Sequence, residues 1–164
     1  MRLIYTFLFF TLIHFTLFPT GPKRELRGVW VATVSNIDWP SAKNYNGIKQ
    51  QNEFIDLLNS HQKTGINAIF VQVRTAADAL YAKSPEPWST ILSGLQGQPP
   101  SPYYDPLAFM IEESHARGIE FHAWLNLNRA SISTNSLLDA NHLVRKHPDW
   151  IIKYHGQFIQ LVQL

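Results

Sequence analysis

Lys63-Thr64-Gly65-Ile66 leads straight into the apolar run Ala68–Val73, and Ala116-Arg117-Gly118-Ile119 leads in the same way into Phe121–Leu125. Each joint puts a glycine where a helix must stop, free to take the left-handed C′ conformation, and follows it with an isoleucine as the hydrophobic contact. A helix–Gly–Ile–strand joint that recurs after about fifty residues predicts successive βα units on a parallel sheet. Right-handed crossovers then place the helices together on one face of that sheet.

Working outward, Val29–Val34 is a β-branched and aromatic run suited to a first buried strand. Phe54, Ile55, Leu57, Leu58 and His61 mark one face of a helix that ends before Gly65. Asp105-Pro106 predicts an N-cap with proline at the first helical position, and Leu107, Met110, Ile111 and Ser114 continue at 3/4 spacing up to Gly118. A third helix is expected over Ser136–Lys146, before Pro148, and a hairpin with His155-Gly156 as its turn joins Trp150–Tyr154 to Gln157–Leu161. Residues 75–104, which hold five of the ten prolines, form a long loop between a strand and a helix. Such loops are where α/β folds keep their ligand sites.

Alternation divides each strand into two faces. Phe70, Gln72 and Arg74 share one face of the second strand, and His122, Trp124 and Asn126 share one face of the third; the opposite faces are apolar and fit packing on helices. Arg74 and Asn126 fall at the strand C-termini, which predicts a functional role, whereas Gln72 and His122 read as core polar groups. Asp38 and Trp39 in the first βα loop, with Trp39 expected to be exposed, join Asp78, Tyr81, Trp88 and Tyr104 from the second. Aromatic platforms among amide, carboxylate and guanidinium groups suit a sugar-binding cleft.

The chain has 164 residues, 45% hydrophobic and 16% charged, with a net charge of +2 and no cysteine. One domain fits that length. The absence of cysteine removes disulfides, thiolate zinc sites and cysteine nucleophiles. No basic stripe suggests a nucleic-acid partner, and there is no H-E-x-x-H, phosphate-binding glycine loop or G-x-S-x-G, so neither metal nor cofactor is expected. His142 and His147 lack a carboxylate at metal-binding spacing. At the N-terminus, Arg2 precedes the apolar run Leu3–Phe18. Residues 1–22 are therefore expected to form a signal peptide for export to the periplasm or cell surface, with an uncleaved membrane anchor as the alternative.

Several ordered stretches carry a family resemblance: Arg27-Gly28-Val29-Trp30-Val31-Ala32-Thr33-Val34 with Asn36-Ile37-Asp38-Trp39-Pro40-Ser41; Val71-Gln72-Val73-Arg74 with Asp78-Ala79-Leu80-Tyr81 and Glu86-Pro87-Trp88-Ser89; and Tyr104-Asp105-Pro106-Leu107. Phe121-His122-Ala123-Trp124-Leu125-Asn126 with Arg129-Ala130 continues the series. Together, from Arg24 to about Phe158, they resemble the bacterial glycosyl hydrolase-like family ten. The resemblance implies a TIM barrel in an exported protein that hydrolyses cell-wall glycan, peptidoglycan strands stripped of their peptides. Thr75 departs from the family's usual proline, and Leu127-Asn128 from its usual Pro-Tyr. A (β/α)8 barrel takes about 250 residues, so residues 24–164 are expected to be an incomplete barrel domain, the N-terminal portion with about three βα units. The resemblance puts the catalytic carboxylates beyond Leu164. It leaves Asp38, Trp39, Arg74, Asp78, Trp88, Trp124, Asn126 and Arg129 as substrate-binding candidates. The chain alone is expected to be inactive and marginally stable; the alternative is a non-catalytic glycan-binding or scaffold protein of the cell envelope.

Overall fold

A computed structural model describes residues 25–160; the leader read over residues 1–22 lies outside them. Its element order is β1 (Gly28–Val31), α1 (Gly47–Lys63), β2 (Ala68–Arg74), α2 (Thr90–Ser93), α3 (Pro106–His115), β3 (Glu120–Leu125), α4 (Leu143–Lys146), β4 (Ile151–Tyr154) and β5 (Gln157–Gln160). The first three strands form one sheet in the order β1-β2-β3, parallel throughout, with Val31 opposite Val71 and Phe70 opposite His122. The protein is thus mixed α/β on a three-stranded parallel sheet. No helix among the described residues is long and apolar enough to cross a membrane.

Both Gly–Ile joints adopt the same hydrogen-bonded end. Gly65 and Gly118 have φ of 79° and 68°. After α1, Gly65 N–H donates to Gln62 O and Ile66 N–H to His61 O; after α3, Gly118 N–H donates to His115 O and Ile119 N–H to Ser114 O. These paired bonds satisfy the last carbonyls of each helix and turn the chain into the next strand. At the other end, Asn46 caps α1 by accepting from Lys49 N–H, and Asp105 caps α3 by accepting from Leu107 and Ala108 N–H.

Val31, Ile69, Val71 and Val73 point to the helical side and are buried with Phe54 and Leu58 of α1 and Met110 of α3. Each such side chain contributes about 1.5–3 kcal/mol by leaving water. The opposite face carries a column of rings: Trp30 stacks on Phe70 at 4.5 Å between centroids, and Phe70 on His122 at 4.5 Å.

Three sequence expectations need correction. The first strand ends at Val31, because Val34–Asn36 turns into a short 3-10 segment. The apolar face of β3 is covered only in part: Phe121 packs on the core, while Ala123 and Leu125 are exposed. The third helix shrinks to Leu143–Lys146. Ahead of it, Asp139 N–H donates to Gln96 and His142 is drawn in to Ala76 O, so long-range bonds replace helical ones over Ser136–His142. The hairpin is present, with Tyr154 paired to Gln157.

Candidate functional site

The C-terminal ends of β1, β2 and β3 open into three loops, and the predicted rim residues gather there with unequal fates. Arg74, the last residue of β2, is buried and points at Glu86 in the following loop. Its Nε donates to both carboxylate oxygens, at 3.0 and 2.8 Å, and its Nη2 closes a second bond to Oε1. Its Nη1 donates to the carbonyls of Asn126 and Leu127, just past β3. One guanidinium thereby ties the second loop to the third. The side-chain amide of Asn126 donates to Thr75 O at 3.3 Å, crossing the same seam.

Asp78 is also buried. Its Oδ1 accepts from Thr75 N–H at 3.1 Å, Thr75 Oγ1 at 2.7 Å and Ala76 N–H at 2.9 Å, winding a tight turn at the strand end. The turn uses both the amide hydrogen and the hydroxyl of Thr75. Proline, the residue that the resemblance leads one to expect at that position, has neither. Asp38 stays at the surface, and its Oδ2 accepts from Ala32 N–H at 2.7 Å.

The aromatic candidates separate as well. Trp39 was expected to be exposed and is 1% exposed. Its indole N–H donates to Gln50 O, and its ring meets Phe54 edge-on at 5.9 Å, so it packs beneath the first loop as core. Trp124 is half-buried on the ring-bearing face of the sheet, 5.5 Å and edge-on from Trp30. Trp88 is half-buried in the second loop, and Arg129 in the third, where it bridges to Ile159 of β5.

Two cavities lie where the third loop crosses the second. One, of about 240 Å³, is lined by Tyr81, Lys83, Glu86, Trp88, Asp139 and Lys146 among others. The second, of about 290 Å³, reaches Ala76, Asp78, Gln96, Ser131 and Leu137. His142, fully buried, pins the crossing: its Nε2–H donates to Ala76 O at 3.1 Å and its Nδ1 accepts from Val144 N–H at 3.2 Å. These bonds fix the neutral tautomer. Burial pushes the imidazole pKa below the ordinary histidine value, outweighing the Ala76 carbonyl and the charges of Asp78 and Glu86, which act the other way; Arg74 adds to the lowering. Among the described residues no group of three His, Asp or Glu is placed to hold a metal ion.

Sequence reasoning gave no site role to Glu86, Lys83, Asp139, Lys146 or His142. Proline, glycine and polar content mark the long loop as a site, but nothing local pairs Arg74 with Glu86 or His142 with a carbonyl 66 residues away.

Comparison with known proteins identifies the family. The family model described as Glycosyl hydrolase-like 10 matches residues 25–163. The chain is 51% identical over 136 residues to glycosyl hydrolase YngK of Bacillus subtilis (strain 168), covering 82% of this chain and 26% of that protein. It is 36% identical over 147 residues to glycosyl hydrolase DigH of Escherichia coli (strain K12), covering 84% of this chain and 33% of that protein. The chain therefore spans a third or less of the length of these relatives. With its motifs, its parallel βα units and a match over most of its length in agreement, the chain belongs to the Glycosyl hydrolase-like 10 family.

Proposed function

We propose that this chain is the N-terminal portion of a (β/α)8 barrel in an exported glycoside hydrolase, and that its rim holds cell-wall polysaccharide. The carrying observation is that two cavities, one lined by Trp88 and the other by Asp78, lie at the C-terminal end of a parallel sheet, where Arg74 and Asn126 tie the loops together. That end is where barrel enzymes bind substrate. Support for the barrel comes from the ring column of Trp30, Phe70 and His122, with Trp30 60% exposed. The buried Gln72 amide nitrogen, which has no hydrogen-bond partner, fits the same reading. In a closed barrel that face is interior, and side chains from the other strands cover it.

The part of this chain in the reaction is to hold substrate. A glycosidase of the usual kind needs one protonated carboxyl and a second as nucleophile or base. Asp38 and Asp78 each commit one oxygen to backbone amides, and Glu86 is paired with Arg74, so none of the three is taken as the acid or the nucleophile. The same observation favours a second reading, a non-catalytic glycan-binding or scaffold protein of the envelope.

The test is retention of the chain on peptide-free cell-wall glycan together with an assay for released reducing ends. Retention without release, weakened by Trp88→Ala, is expected. Failure of the folded chain to bind overturns the glycan reading. Release that Asp38→Ala or Asp78→Ala abolishes overturns the assignment of those carboxylates. Export is tested by fractionating expressing cells; intact Met1 termini in the cytosol would refute it.

A further inference from the structure

Residues 136–146 supply a wall to both cavities: Asp139 and Lys146 line the one of 240 Å³, and Leu137 lines the one of 290 Å³. The chain before this segment is anchored elsewhere. Arg74 holds the Asn126 and Leu127 carbonyls, and Ala130 N–H and Thr134 N–H donate to Phe158 O and Gly156 O of the hairpin. Two hydrogen bonds among the described residues fasten the segment itself to the loop after β2. Asp139 N–H donates to Gln96 Oε1 at 2.8 Å, and His142 Nε2–H donates to Ala76 O at 3.1 Å. Gly97 permits the close approach, since a Cβ there would lie 2.5 Å from Asp139 Oδ2.

The second of these fastenings works in one protonation state. A carbonyl oxygen only accepts and a backbone N–H only donates. With Ala76 O at one ring nitrogen and Val144 N–H at the other, the fully buried imidazole must donate from Nε2 and accept at Nδ1, as the neutral ring does. A second proton on Nδ1 sets N–H against N–H, removes the side-chain cap of α4 and puts a charge in a buried place. The charged groups that act on the ring are Asp78, Glu86 and Arg74, and none forms an ion pair with it. Asp78 Oδ1 already accepts three bonds in its own turn, and Glu86 is paired with Arg74. On the ring's own segment, Asp139 turns Oδ1 to Asn141 N–H.

We propose that His142 is a pH-sensitive latch: taking up a second proton releases residues 136–146 from the loop after β2 and opens both cavities, while the three-stranded sheet stays folded. Burial holds the ring of the closed form below the ordinary histidine pKa of 6.5, which it regains once released into water, so protons favour the open form. Release therefore grows as pH falls below 6.5, by up to about tenfold per pH unit, and levels off below the pKa of the closed form. Arg74 keeps its charge throughout and goes on tying the start of the third loop to the second. The latch depends on neither glycan binding nor export, so its failure and theirs are separate.

The experiment is amide hydrogen exchange on the full chain, followed residue by residue by NMR from pH 8 to pH 5, each rate divided by the intrinsic rate at that pH. Protection of the Asp139 and Val144 amides is expected to hold down to about pH 6.5 and then to fall together, by up to about tenfold per pH unit, while the β2 amides keep theirs. In His142→Gln, whose amide can donate and accept without titrating, protection of Asp139 and Val144 no longer changes over this range. Protection that is constant with pH in the parent chain overturns the latch. A fall at Val144 alone overturns the release of the segment, and an equal fall in β2 means global unfolding and overturns it too. A fall that survives in His142→Gln assigns the proton to another group and overturns the role of His142.

Discussion

Truncating Arg74 to alanine is expected to destabilise the fold by about 3–5 kcal/mol, the range for breaking a buried ion pair from one side. The geometry sets that scale. The Arg74 and Glu86 side chains are only 8% and 18% exposed, so water replaces little of what is lost. The variant strands a carboxylate that accepted from Nε at 3.0 and 2.8 Å, together with the carbonyls of Asn126 and Leu127. Against a typical domain stability of about 5–15 kcal/mol this is a large fraction, and the melting midpoint should fall by roughly 10–15 °C. Thermal and urea unfolding followed by circular dichroism would measure it, on the parent, Arg74→Ala, Glu86→Gln and the paired replacement Arg74→Leu/Glu86→Leu. The paired variant should lose less than Arg74→Ala alone, because it leaves no unpaired charge behind. A shift below about 2 °C for Arg74→Ala, with glycan binding lost, would refute the structural role and make the guanidinium a ligand-contacting group.

Gly47→Ala adds a Cβ at the first residue of α1 that would lie 2.4 Å from Pro102 O, so unfolding experiments should show net destabilisation of about 1–3 kcal/mol. Trp39→Phe keeps a ring against Phe54 but loses the indole bond to Gln50 O and some volume, and should cost about 1–3 kcal/mol without changing glycan affinity per folded molecule. His142 has a folded pKa below its ordinary value of 6.5, so the unfolded chain binds the proton more readily. Stability should be full above pH 6.5 and decline as pH falls below it, and His142→Gln should flatten that decline in denaturation midpoints measured between pH 8 and 5.

The sequence by itself determined the βα framework. Its signals are local: glycine with positive φ followed by isoleucine ends both long helices, Asp105-Pro106 starts one, and alternation along β2 separates Ile69, Val71 and Val73 from Phe70 and Gln72. Each of these is decided by neighbours within a few residues, where steric and hydrogen-bonding preferences act directly. It also placed Arg74 at the end of β2, whereas β1 stops at Val31, short of the end of its apolar run. Tertiary structure alone decided what the rim residues do. Arg74 and Asp38 carry the same charges in sequence whether they face ligand or backbone, and only the folded chain brings Glu86 and the Asn126 and Leu127 carbonyls to the one and Ala32 N–H to the other. Trp39 became core because α1 places Phe54 and the Gln50 carbonyl against it. Ser136–His142 gave up its helical pattern because Gln96 and Ala76, far away in the chain, offered the bonds that a helix would have supplied. Long-range partners of this kind leave no periodicity to read, since their energies depend on which loops meet and how little water remains between them.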